Sequence, residues 1–148
     1  MSKVSHASFE TTVRVRDTCL CLHTQRAARA LARRFDDALR PLGLTSGQFS
    51  LLMSLNRPDA PNMAAVASLL AMDRTTLTAA LKPLERRGLV RVTIDPADKR
   101  GRRLNLTPEG RSVLASAVPI WERTHVVVEE RLDGGDADGL RRSLLALS

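Results

Sequence analysis

The stretch from Asp73 to Thr107 leaves this chain the fewest choices: DRTTLTAALKPLERRGL, then VRVTID, then PADKRGRR, then LNLT. Asp73 stands just before apolar positions Leu77, Leu81 and Leu84, spaced by four and three, the pattern of an N-capped amphipathic helix. Gly88 falls where such a helix stops. Leu89, Val90, Val92 and Ile94 then form a β-rich run, DPADKRG supplies turn chemistry, and Leu104 and Leu106 alternate with polar neighbours on the way back. A helix feeding directly into a hairpin with a cationic tip offers one element for a DNA major groove and a second for a minor groove.

The flanking sequence extends this pattern. Asn62 is expected to cap a short helix holding Ala65, Val66, Leu69 and Leu70, and Ala71-Met72 leaves room only for a tight turn before Asp73. Two helices so joined fit a helix-turn-helix, the second being the recognition helix. Upstream, Thr45 can cap a helix with Phe49, Leu52, Met53 and Leu55 on its apolar face, ending at Asn56-Arg57-Pro58. Before it, Leu20, Ala27, Leu31, Phe35, Ala38 and Leu42 predict one long amphipathic helix, closed by Pro41 and Gly43.

Downstream, Thr107 and Pro108 open a long helix carrying Leu114, Ala117, Trp121, His125, Val128 and Leu132, with a kink expected at Pro119. After Gly134-Gly135, Asp136 can cap a terminal helix with Leu140, Leu144 and Leu147. Residues 1–11 are polar and patternless and are expected to form a flexible arm. The fold class that follows is mainly α with a small β-hairpin wing. A winged helix-turn-helix over residues 45–107 is flanked by N- and C-terminal helical segments, 12–44 and 108–148.

Charge supplies a direction. The net charge is +7 and the pI near 10.9, which points to a polyanionic partner, nucleic acid ahead of a membrane surface. From Asp73 to Arg103 nine Lys/Arg stand against four Asp/Glu, so the surplus concentrates on the segment that the pattern already singles out. No apolar run approaches the ~20 residues of a membrane span, and MSKVSHASFETT lacks a signal-peptide hydrophobic region, so a cytoplasmic location is expected. Cys19 and Cys21 are too few for a disulfide framework and have no second ligand pair for zinc. With no Gly-rich phosphate loop, no paired carboxylates and no nucleophile matched to a base, neither catalytic residues nor a metal or cofactor are expected, and an enzyme is excluded on inventory.

A recognition helix reads bases from side chains near its N-terminal end. Arg74, Thr75, Thr76 and Thr78 lie there, with Lys82 one turn on. Arg100 at the hairpin tip has the reach to enter a narrow minor groove, while Lys99, Arg102 and Arg103 can hold flanking phosphates. Asp98 is out of place in a phosphate-seeking loop unless it orients the Arg100 guanidinium through an ion pair.

The entry Leu44-Thr45-Ser46-Gly47-Gln48-Phe49, the LERRGL run from Leu84 to Leu89, and DPADKRGRRLNLTPEG from Asp95 to Gly110 together resemble the MarR family of bacterial transcription regulators, from about Asp17 onward. The resemblance implies a winged helix-turn-helix in a homodimer, with the terminal helices forming the dimer interface and two recognition helices on a pseudo-palindromic DNA operator. It also implies that Asp98 and Arg100 are the family's wing pair. Two departures stand out: Ala79 occupies a position where many members carry Arg, and Pro83 lies inside the recognition helix.

Members of this family often bind small phenolic or anionic effectors in a crevice between the dimer helices and the winged domain, for which His23, Arg26, Phe49, Met53, Trp121 and His125 are the candidates here. The expected function is a dimeric sequence-specific regulator, a repressor released by a small molecule. Two alternatives stand beside it. One is a thiol-based redox sensor using Cys19 or Cys21, which on one helix would point about 200° apart and so could not pair with each other. The other is a winged-helix protein for non-specific nucleic-acid binding or protein adaptation.

Overall fold

A computed structural model of the chain describes residues 5–148. Helices α1 (Phe9–Thr18) and α2 (Leu20–Leu39) lead through a single 3-10 turn, Arg40–Leu42, into α3 (Ser46–Leu55), α4 (Met63–Leu70) and α5 (Arg74–Arg86). The antiparallel hairpin β1 (Val90–Asp95) and β2 (Asp98–Leu106) follows, then α6 (Pro108–Glu130), a 3-10 turn at Asp133–Gly135, and α7 (Ala137–Ala146). This is a mainly helical winged helix-turn-helix. No helix among the described residues is long and apolar enough to cross a membrane.

Five helix starts follow side-chain chemistry visible in the sequence. Thr45, Asn62, Asp73, Thr107 and Asp136 each accept a backbone N–H of the first turn they precede, and at Thr45 the Gln48 side chain returns the bond to complete a capping box. The turn between α4 and α5 closes on Ala71 in the left-handed conformation (φ 52°), a strained position for a residue with a Cβ.

Two expectations change. The helix predicted from residue 12 starts at Phe9, capped by Ser8, inside the stretch expected to be an arm; residues 1–4 of that arm lie outside the described residues. That same helix is two, because Cys19 takes an extended conformation (φ −69°, ψ 112°) and caps α2 with its sulfur. The separation of Cys19 and Cys21 around one continuous helix therefore does not apply. Helix α6 runs on through Pro119, where the kink is expected, and α5 likewise runs through Pro83. Each proline withholds one N–H from the carbonyl four residues earlier, and those residues, Ala115 and Ala79, are exposed to water that can take its place.

The core lies between Leu39 and Ala117. Leu39, Leu52, Val66, Leu77, Leu84, Leu104 and Ala117 are its fully enclosed members, drawn from α2 through α6. Gly110 lets α6 sit on the chain just before β1: a Cβ there would meet the Leu89 carbonyl oxygen at 2.1 Å. The terminal helices are different. Neither α1 nor α7 buries a residue, and Phe9, Leu20, Leu140, Leu144, Leu145 and Leu147 stand exposed.

Candidate nucleic-acid interface

On α5 the buried positions Leu77, Leu81 and Leu84 fix which side is presented outward. Arg74, Thr75, Thr78, Ala79 and Lys82 line one shallow exposed depression of about 410 Å³ along the opposite side. Four of the five expected reading residues thus share a surface. Thr76 does not join them; it is exposed off this stripe, and its N–H is bound to the Asp73 carboxylate at 2.7 Å. Ala79, where the family pattern often has Arg, is the low point of the stripe between the longer side chains. The Thr78 hydroxyl donates to the Arg74 carbonyl at 2.8 Å, which leaves its methyl and oxygen lone pairs free for a base edge. The Thr76 N–H, backed by the Thr76 hydroxyl, holds the Asp73 carboxyl below the usual carboxylate value.

The wing is built with a slip in register. Ile94 pairs with Arg102 and the next residue, Asp95, with Asp98, so Lys99, Arg100 and Gly101 have no partner across the hairpin and form a bulge. A bulge re-aims side chains. Arg100 therefore projects from this bulge on β2, with the turn itself at Pro96-Ala97. The expected Asp98–Arg100 ion pair is not formed. Instead the Asp98 carboxylate accepts the backbone N–H of Arg100 at 3.0 Å, fixing the main chain and leaving the guanidinium free.

The ion pair that the wing does make was not legible in the sequence: Arg103 Nε to Asp95 Oδ2 at 3.1 Å. Arg103 also donates to the Ala60 carbonyl at 2.9 Å. Arg102 turns back on the Lys99 and Gly101 carbonyls, and Arg87, beyond the end of α5, donates to those of Leu42 and Gly43. Of the nine cations in the segment, three are spent on backbone carbonyls of the fold.

The candidate effector residues divide as well. Trp121 stacks on Phe49 (centroids 6.3 Å apart) and on His125 (4.7 Å), and cavities of about 380 and 280 Å³ flank this stack. Met53 borders the first and His125 the second. His23 and Arg26 border neither; His23 is exposed on α2 with Nδ1 2.8 Å from the Cys19 carbonyl. Phe35, Ser50, Leu69 and Val118 line these cavities and were not singled out by sequence, where Phe35 reads as an ordinary core position.

A helix-turn-helix whose second helix presents a polar, cationic stripe and runs into a cationic hairpin defines a winged helix-turn-helix DNA-binding protein. Comparison with known proteins agrees. The model of the MarR family matches residues 44–101. The transcriptional regulator HosA of Escherichia coli O111:H- is 38% identical over 97 residues, 64% of this chain and 70% of HosA, and the match spans 58% of HosA from other Escherichia coli sources. Among solved structures, the Mycobacterium tuberculosis transcriptional regulator MosR in complex with DNA superposes with a TM-score of 0.80 at 40% identity, covering 88% of this chain and 93% of that one. The transcriptional repressor CouR, bound to a 23-mer DNA duplex, gives 0.74 at 30% identity, covering 97% and 98%. This chain belongs to the MarR family; it is a DNA-binding transcription regulator and not an enzyme.

Proposed function

We propose that this regulator works in the cytoplasm as a homodimeric repressor on a pseudo-palindromic operator and is released by a small phenolic or otherwise anionic molecule. The observation that carries the DNA-reading part is the exposed stripe of Arg74, Thr75, Thr78 and Lys82 on α5, followed in the chain by an unpaired bulge that frees Arg100. The stripe enters the major groove, Arg100 the minor groove, and Lys99 holds a phosphate beside it, while Arg102 braces the bulge. Thr76 and Asp98 serve by shaping the backbone.

The dimer is supported by where burial stops. With the core confined to residues 39–117, Val126 and Val127 on α6, Leu140, Leu144 and Leu145 on α7, and Phe9 on α1, 80% exposed, are left facing outward. A second copy is the economical cover for a surface of that kind. Leu144→Asp should therefore yield a monomer by light scattering, and a variant that stays dimeric would remove these helices from the interface.

The effector reading is supported by the two cavities around the Phe49–Trp121–His125 stack, apolar walls with one imidazole, which suits a flat ring bearing a polar group. Trp121 is the sole tryptophan, so its fluorescence reports occupancy. One observation keeps the redox reading alongside: the Cys19 sulfur sits at the break between α1 and α2 and accepts the Leu22 N–H at 3.5 Å, with Cys21 exposed nearby in sequence. Loss of DNA binding on peroxide treatment, reversed by thiol and absent in Cys19→Ser/Cys21→Ser, would establish it.

The deciding experiment is an anisotropy titration with duplex from the DNA upstream of this coding sequence. The proposal predicts two chains per site and an affinity about a thousandfold or more above that for shuffled duplex at matched salt. Equal affinities would favour a non-specific nucleic-acid-binding or adaptor role. A panel of phenolic carboxylates then tests release, with quenching of Trp121 as the second readout.

A further inference from the structure

Arg103 lies in a run of cations, and a cation beside a proposed DNA contact is ordinarily assigned to a phosphate. Its surroundings argue otherwise. The guanidinium has two internal partners: Nε pairs with Asp95 Oδ2 at 3.1 Å, and Nη1 donates to the Ala60 carbonyl at 2.9 Å. Its backbone also bridges to Asn62, and the following residue, Leu104, donates to the Pro61 carbonyl at 2.9 Å. The base of the wing is thus laced to the loop before α4 by main chain and side chain together.

Asp95 carries the connection to the bulge. Its side chain is only 10% exposed, its other oxygen accepts the Ala97 N–H at 2.9 Å, and a Cβ added to Gly101 would lie 3.3 Å from the Asp95 Cβ. The bulge that carries Arg100 therefore rests directly on the residue that Arg103 holds. We propose that Arg103 is a positioning residue: it ties the wing to the loop preceding α4 and sets where Arg100 meets DNA, and it is not itself a phosphate contact. The proposal rests on the reading of Arg100 as a groove contact.

Lysine separates the two roles. A phosphate accepts a point charge, so Arg103→Lys would preserve a phosphate contact, whereas a compact ammonium does not reproduce the planar guanidinium's simultaneous ion pair with Asp95 and hydrogen bond to Ala60. The experiment is a titration of the full chain against the upstream duplex over a range of salt concentrations, with thermal melting of each variant as a check on folding. Arg103→Lys should weaken binding about tenfold with the slope of log K on log salt unchanged. Lys99→Ala should lower that slope by about one. Because Arg103 acts through Arg100, the Arg100→Ala/Arg103→Lys double variant should bind no more weakly than Arg100→Ala alone. Asp95→Asn, which keeps the shape and removes the charge, should reproduce the Arg103→Lys pattern. Parent-like binding by Arg103→Lys, a lowered salt slope for Arg103→Ala, or additive losses in the double variant would each overturn the proposal. If Arg100→Ala alone binds like the parent, the wing reading itself falls, an outcome distinct from the others.

Discussion

The recognition helix and the wing carry similar charge and are held in opposite ways. Helix α5 is rigid by itself: three leucines anchor one side in the core, Asp73 caps its start, and the reading stripe projects from what remains. The wing has little core of its own, since only its root residues Val90, Leu104 and Leu106 and the carboxylate of Asp95 are buried; its shape comes from polar lacing. Asp98 fixes the Arg100 backbone, Arg102 braces the bulge, and Arg103 with Asp95 joins the wing to its neighbour loop. A helix presents side chains through packing. A hairpin that must reach outward presents them through hydrogen bonds, and is correspondingly vulnerable to single polar substitutions.

The largest effect should come from unseating the wing at its root. Gly110→Ala drives a Cβ into the Leu89 carbonyl, and because the obstacle is backbone the loss should reach about 3 kcal/mol, the upper end for overpacking. A melting temperature equal to the parent's would show that α6 and the wing root adjust freely, and would break the contrast drawn above. Next, Arg100→Ala should weaken specific DNA binding by about 2 kcal/mol, relaxing discrimination at the outer positions of the site. Lys82→Ala should cost about 1 kcal/mol and flatten the salt dependence, leaving sequence preference intact. If Lys82→Ala proves the more damaging of the two for specificity, the helix and not the wing dominates readout.

The smallest effect concerns the helix cap and sharpens the same contrast by pH. The Asp73 carboxyl titrates below its unfolded value because the ionised form is held by the Thr76 N–H and hydroxyl. Its stabilisation is therefore fully present above the unfolded pKa of about 3.9 and is lost as pH falls through the lower folded value. Asp73→Asn, which still caps, should remove that part of the acid sensitivity of melting while changing little at neutral pH. Unaltered acid sensitivity would detach the cap from the pH response.

Most of this architecture was legible because it is written in local spacing. Thr45, Asn62, Asp73, Thr107 and Asp136 announce their helices by residue type, Gly88 and Gly134-Gly135 announce the stops, and the leucine spacing on α5 fixes its orientation. What stayed hidden is long-range or atypical. Cys19 is a poor residue for an N-cap, so the division of the first helix carried no signal. Arg87 and Arg103 bond carbonyls more than forty residues away in sequence, and a charge run cannot say which members face inward. The Asp98–Arg100 pairing failed for a related reason: the short carboxylate finds the neighbouring backbone N–H before it finds the far end of a long side chain. Of the proposed effector residues, the aromatic ones converge because they share the core's edge, while His23 and Arg26 share only helix α2 with it.

The central claim, that helix and wing read different grooves, is tested most directly by footprinting the chain on its upstream duplex with hydroxyl radicals and guanine-N7 methylation interference. The parent should protect minor-groove positions flanking major-groove guanine contacts, Arg100→Ala should lose the flanking protection alone, and Arg74→Ala should weaken the major-groove signal alone. An Arg100→Ala footprint identical to the parent's would contradict the account.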